Sequence, residues 1–141
     1  LELATQEFGT VSVDPPTNWT DWSLSLLARS DHVVLVTELT VGGLNRARRQ
    51  LNLLESQDLG DVEVRVLVNR YDKVLARTIS LAEASKALGR EVSYTVANDF
   101  ALMRGAIDRG VPIDEIKRKT ALAKDLDVLD AGLASALRLE R

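Results

Sequence analysis

The sequence predicts an α/β fold, a parallel sheet with helices on both faces, and three observations point to it. Strand-like and helix-like segments alternate four times along the chain, which implies βαβ units. The run Val33-Val34-Leu35-Val36 has no polar alternation, the pattern of a strand buried on both faces of a parallel sheet. Three strand-like segments end in polar residues, namely Asp14, Asn69 with Asp72, and Asn98 with Asp99. In open α/β sheets ligands bind at the C-terminal ends of the strands, so all three are expected on one ligand-binding rim.

The first strand is expected over Phe8 to Val13. It stops at Asp14 because Pro15 and Pro16 remove two backbone donors and hold φ at roughly −65°. The Asp14 carboxylate is then left on the rim; alternatively it caps the backbone of residues 17–20, as acids in turns routinely do. A helix from about Thr20 to Arg29 carries Trp22, Leu24, Leu26 and Leu27, with Trp22 expected as an apolar anchor. His32 to Thr37 forms the second strand, and His32 reads as structural. The next helix, about Val41 to Ser56, places Leu44, Ala47, Leu51 and Leu54 on one face. Gly60-Asp61 turns the chain into a third strand, Glu63 to Val68. Ser80 with Glu83 is a capping box, and Gly89 closes the helix it opens. A fourth strand, Val92 to Val96, leads to Asp99, which caps a helix ended by Gly110 and Pro112. Thr120 opens a last helix with Leu122, Leu126, Leu129, Leu133 and Leu137 at helical spacing and Asp125, Asp127 and Asp130 opposite, a docking helix. The freest stretch is Asp72 to Thr78.

At 141 residues, 45% of them apolar, the chain is sized for one globular domain with a real core. A net charge of −3 argues against nucleic-acid binding driven by bulk charge. Cysteine is absent, which excludes disulfides and thiolate metal sites, and the single histidine cannot make a zinc site alone. The longest aliphatic run is far short of the roughly 20 residues of a membrane span, and no signal peptide opens the chain, so a cytoplasmic protein is expected. Leu1-Glu2-Leu3 begins in mid-pattern without an initiator methionine, as a fragment of a longer protein would.

Six stretches, VSVDPPTNWTDW at 11–22, SDHVVLVTE at 30–38, LNRARRQLNLL at 44–54, VLVNRYDK at 66–73, ISLAEASKALGREV at 79–92 and NDFALMRGAIDRGVPI at 98–113, together resemble the C-terminal half of the ParA/MinD family of P-loop ATPases. Within it they most resemble the CpaE/TadZ branch of Flp (Tad) pilus assembly. The likeness covers nearly the whole chain in the family's order. It implies a P-loop NTPase fold with ATP and Mg as cofactors. The family's phosphate loop is a glycine-rich turn with a lysine. None is present here: Gly42-Gly43 is followed by Leu44. The P-loop strand and helix are therefore expected upstream of Leu1, and residues 1–141 are expected to be the C-terminal portion of one ATPase-like domain.

The resemblance also assigns residues. Asp14 matches the acid beside the P-loop that holds magnesium through water and helps place the attacking water. Asn69 matches the asparagine facing the nucleobase, whose amide suits adenine's donor and acceptor edge, although it would also suit the start of a turn. Asn69-Arg70-Tyr71-Asp72 is similar to the Asn-Lys-x-Asp base motif of GTPases, but arginine replaces lysine and adenine is preferred. Ala97-Asn98-Asp99 matches the loop that packs on the base, with Ala97 in place of the usual proline, which should loosen that wall. Arg46, Arg48 and Arg49 resemble basic positions used for partner or DNA contact, against which a solvated helix face is the better reading. The implied function is an ATP-binding protein that positions or assembles pilus or secretion machinery, forms a homodimer across nucleotide, and is recruited to a cell pole or the inner face of the membrane. The alternative is a non-catalytic scaffold, favoured by Thr17, Asn18 and Ala97. In this family the P-loop strand lies between the acid-bearing strand and the next. Segments 8–13 and 32–37 should therefore not pair directly, and the remaining order should run 32–37, 63–68, 92–96.

Overall fold

The computed structural model describes residues 2–16, 19–59, 62–72 and 78–137. The expectations for Thr17 and Asn18, for the turn at Gly60-Asp61 and for most of the Asp72–Thr78 stretch fall outside them. The chain divides into two units, residues 1–30 and 31–141.

The first unit holds helix α1 (Glu2–Glu7), an extended stretch from Phe8 to Pro16, and helix α2 (Asp21–Leu27). The strand expected at 8–13 is not formed. Strand propensity is realised only against a partner, and none pairs with this segment among the described residues; Phe8 and Val13 are exposed. Asp14 is exposed and follows a coil rather than a strand. The first turn of α2 is capped by Thr20, whose hydroxyl accepts from Ser23 N–H at 3.5 Å. Helix α2 turns Ser23, Leu26 and Leu27 inward, whereas Trp22 is 61% exposed and is not the buried anchor expected of it.

The second unit is built on a sheet of three parallel strands, β1 (His32–Glu38), β2 (Glu63–Tyr71) and β3 (Val92–Ala97), in the order β1-β2-β3. This is the expected outward order. Helices follow each strand: α3 (Val41–Ser56), α4 (Leu81–Leu88), then α5 (Phe100–Arg109), α6 (Ile113–Ile116) and α7 (Ala121–Ala136). Alternate strand residues face opposite sides. Leu35, Val66 and Val68 enter a core closed by Leu44, Ala47 and Leu51 of α3 and Ala84 and Leu88 of α4. Leu67 and Val96 enter a second core, with Leu102 of α5 and Leu122 of α7. The fold is thus a parallel sheet with helices on both faces. No helix among the described residues is long and apolar enough to cross a membrane.

The local signals act as expected. Ser80 and Glu83 form the reciprocal capping box, Gly89 and Gly110 take the left-handed C-cap conformation, and the Asp99 and Thr120 side chains cap α5 and α7. Gly43 is required by a close approach, since a Cβ there would stand 2.5 Å from the Glu38 carbonyl oxygen. Arg46 and Arg49 lie exposed on α3, as a solvated face would have them. Arg48 does not: it is half-buried, and its Nη1 donates to the Leu88 carbonyl at 2.6 Å, capping the end of α4. At the N-terminal end of the sheet, Arg65 donates to Glu63 Oε1, to the Tyr94 hydroxyl at 2.9 Å and to the Gly132 carbonyl at 3.2 Å. His32 Nδ1 lies 3.2 Å from Glu63 Oε2, close enough for an ion pair when protonated but without the alignment of a hydrogen bond.

Candidate functional site

The C-terminal rim of β1, β2 and β3 is shaped by a defect in β2. Val68 pairs with Thr95 and Tyr71 with Ala97, so Asn69 and Arg70 together stand opposite the single residue Val96. Two residues against one is a β-bulge, a device that re-aims side chains at strand ends. Its second residue, Arg70, has φ 53°, the left-handed region. For a residue with a Cβ that conformation costs about 1–2 kcal/mol. Without the bulge the next inward position after Val64, Val66 and Val68 would be Arg70. With it, Tyr71 packs on the α3–α4 core and the arginine is released to solvent.

The bulge is held by polar contacts on each side. Asn69 Oδ1 accepts from Arg70 N–H at 2.8 Å. Arg70 Nη1 reaches Glu38 Oε1 on β1 at 3.1 Å, and because both side chains are well exposed the pair adds little stability. It spans the rim between β1 and β2.

The end of β3 is tied at three successive residues. Ala97 N–H donates to Asp125 Oδ2 of α7 at 2.9 Å, Asn98 N–H donates to the Tyr71 carbonyl at 2.9 Å, and Asp99 Oδ1 accepts from Leu102 N–H at 3.0 Å. The end of β3 is thus anchored to β2, α5 and α7. Asn69, Arg70, Ala97, Asn98 and Asp99 are brought onto one rim through Tyr71. Asp14 belongs to the first unit. Among the described residues no three His, Cys, Asp or Glu side chains converge as a metal cage.

Two rim residues escaped sequence reasoning. Glu38 ends β1 in register with Asn69, and that strand's terminal acid was the available signal. Asp125 looked like one of three solvated acids on α7; only the docking of that helix reveals its partner.

Several solved structures share this fold. The ParA family ATPase from Chlorobium tepidum TLS superposes with a TM-score of 0.67 at 23% identity, over 75% of this chain and 43% of that one. The MinD cell division protein of Aquifex aeolicus gives 0.62 at 21% identity, over 75% and 44%. A chain of the MinC:MinD cell division protein complex of the same organism gives 0.58 at 23%, over 68% and 39%. At such identities the likeness is one of fold, a ParA/MinD-like P-loop NTPase architecture. The chain spans about two fifths of the length of each of these proteins. No protein-family model and no curated protein matches the sequence.

Proposed function

We propose that this chain is the base-binding part of a ParA/MinD-like ATP-binding protein, and that the full-length protein hydrolyses ATP with magnesium while positioning or assembling pilus or secretion machinery. The observation that carries this reading is the bulge that presents Asn69 beside the tethered 97–99 loop, at the ligand-binding rim of a sheet whose fold is ParA/MinD-like. The Asn69 amide nitrogen offers two donors, and the oxygen keeps a second lone pair beside its bond to Arg70 N–H. Arg70 and the 97–99 loop flank the base. The pilus role rests on the resemblance of the six stretches between residues 11 and 113, taken together, to the CpaE/TadZ branch. A homodimer and recruitment to a cell pole or the inner face of the membrane belong to the same reading, and a MinD chain of this fold occurs in complex with MinC.

Asp14 would hold the magnesium ion through water. Magnesium binds through one or two carboxylates, retained waters and substrate phosphates rather than an all-protein cage, so a single exposed carboxylate fits it. When bound, the ion neutralises charge on the phosphates. Asp14 would orient that ion and its water.

A second reading, the non-catalytic scaffold, is favoured by the internal satisfaction of the rim. Arg70 is occupied by Glu38, and Asp99 by the first turn of α5. Titration of full-length protein with ATP and magnesium separates the two. Under the first reading Asn69→Ala weakens binding by about 1–3 kcal/mol, the cost of an unpaired partner in a closed site. Asp14→Ala lowers turnover more than affinity, because its role is in the transition state. No ATP binding by the wild-type protein would leave the scaffold, whereas preference for GTP would transfer the base contact to Asp72.

A further inference from the structure

We propose that Asp125 is a positioning residue for the nucleotide base, acting through the backbone of Ala97; this rests on the ATP-binding reading of the rim. In the parallel ladder the bond from β3 to the end of β2 is made by Asn98 N–H, to the Tyr71 carbonyl. The preceding amide, Ala97 N–H, therefore points out from the side of β3 away from β2, where no strand pairs with it among the described residues. An outward amide at a sheet edge is the position where proline is tolerated, because no ladder bond is lost. The proline implied by the resemblance would fix φ here and leave no donor to satisfy. Alanine does neither. It retains a free backbone rotation and an amide that needs an acceptor.

Asp125 supplies that acceptor from the fifth residue of α7, at 2.9 Å, and it is half-buried. A bond to a carboxylate is stronger than one to a neutral oxygen. Helix α7 does not need this contact to dock, since Leu122 and Leu129 already pack against the Leu67 and Val96 core. The bond instead fixes the residue immediately before Asn98 and Asp99. A clamp between helix and loop thus takes the place of a rigid ring within the loop.

The test is made in full-length protein with ATP and, separately, inorganic triphosphate, together with amide exchange at Ala97. Asp125→Ala should weaken ATP binding by about 5–10-fold, the loss of one structural hydrogen bond, leave triphosphate binding unchanged and speed exchange at Ala97. Asp125→Asn keeps an acceptor oxygen and should stay within about 2-fold of wild type. Adding Ala97→Pro to Asp125→Ala should restore ATP affinity, since no donor is left unpaired and φ is fixed again. Wild-type affinity in Asp125→Ala, or an equal loss in Asp125→Asn, would overturn the proposal. Should Asp125→Ala lose its melting transition, the double substitution carries the comparison, with reduced ATP affinity as the overturning result. Failure of the wild-type protein to bind ATP would overturn the nucleotide reading itself; slow exchange at Ala97 lost in Asp125→Ala would then mark a structural tether and overturn the positioning role.

Discussion

On the α3–α4 side of the sheet the central side chains are removed from water, with Leu51, Val66, Val68, Ala84 and Leu88 each at 1% exposure or less. The opposite side has its own core, yet Val36 of β1 is 56% exposed there. Helix α5, whose Leu102 and Ala106 are buried, also carries Phe100, Met103 and Ile107 outward at i, i+3 and i+7. A helix that is apolar on two sides departs from the single stripe of a surface helix. The difference shows that the two faces are under different demands. The first face is complete in itself and supplies stability; the second leaves apolar surface beyond what its own core uses, of a kind associated with interaction surfaces.

The largest effect should therefore come from the first face. Leu51→Ala removes a fully buried side chain and should cost about 2–5 kcal/mol in urea unfolding, whereas Ile107→Ala should fall within about 0.5 kcal/mol of wild type. Equal costs would break the comparison. On the second face the sensitive point is polar rather than aliphatic. A Cβ at Gly132 would strike the Tyr94 ring, which is held by Arg65, so Gly132→Ala should cost about 1–3 kcal/mol. A neutral outcome would mean that α7 shifts freely on the sheet. Next, Ser80→Ala should lower stability by about 1 kcal/mol through loss of the α4 cap, measured as a lower urea midpoint with unchanged slope.

The smallest effect is a pH dependence common to both faces. Hydrogen bonds from Ser80 hold the Glu83 carboxyl below its usual range, and the Arg65 guanidinium does the same for Glu63. A depressed folded-state value means that the unfolded chain binds the proton first as pH falls. These contributions are complete above the ordinary glutamate range and fade as pH drops through the folded values. The difference in melting temperature between wild type and Glu83→Gln should accordingly shrink in acid. A constant difference would show that the Glu83 charge contributes nothing to the cap.

What could be read from the sequence was what short-range chemistry decides. Ser80 with Glu83, Gly89, Asp99, Gly110 and Thr120 each govern one helix end through atoms a few residues away, and each acts as expected. The aliphatic run at 33–36 marked β1 correctly as a strand, but not its burial: Leu35 is buried, whereas Val36, expected to be covered on its own face, is 56% exposed because no helix packs over it among the described residues. Residues 8–13 have strand-like composition, but a strand also needs a neighbour, which composition does not contain. The rim was half legible. Asn69, Asn98 and Asp99 were marked by their places at strand ends, whereas the bulge was hidden because an arginine gives no sign of a left-handed backbone. Asp125 was hidden because its partner lies 28 positions away in the chain.

The bond from Arg48 to the Leu88 carbonyl also bears on how the molecule opens. It runs from the middle of α3 to the last turn of α4, the place where a helix ordinarily frays. With that end fastened to a neighbouring helix, α4 cannot unwind from its C-terminus without also breaking a contact of α3. The two helices and the strands beneath them should therefore behave as one foldon, with the amides of Leu51, Leu54 and Leu88 sharing a single opening free energy in native-state hydrogen exchange. Replacing Arg48 with methionine, which keeps the apolar stem, should uncouple Leu88 from the other two before it changes the global unfolding midpoint.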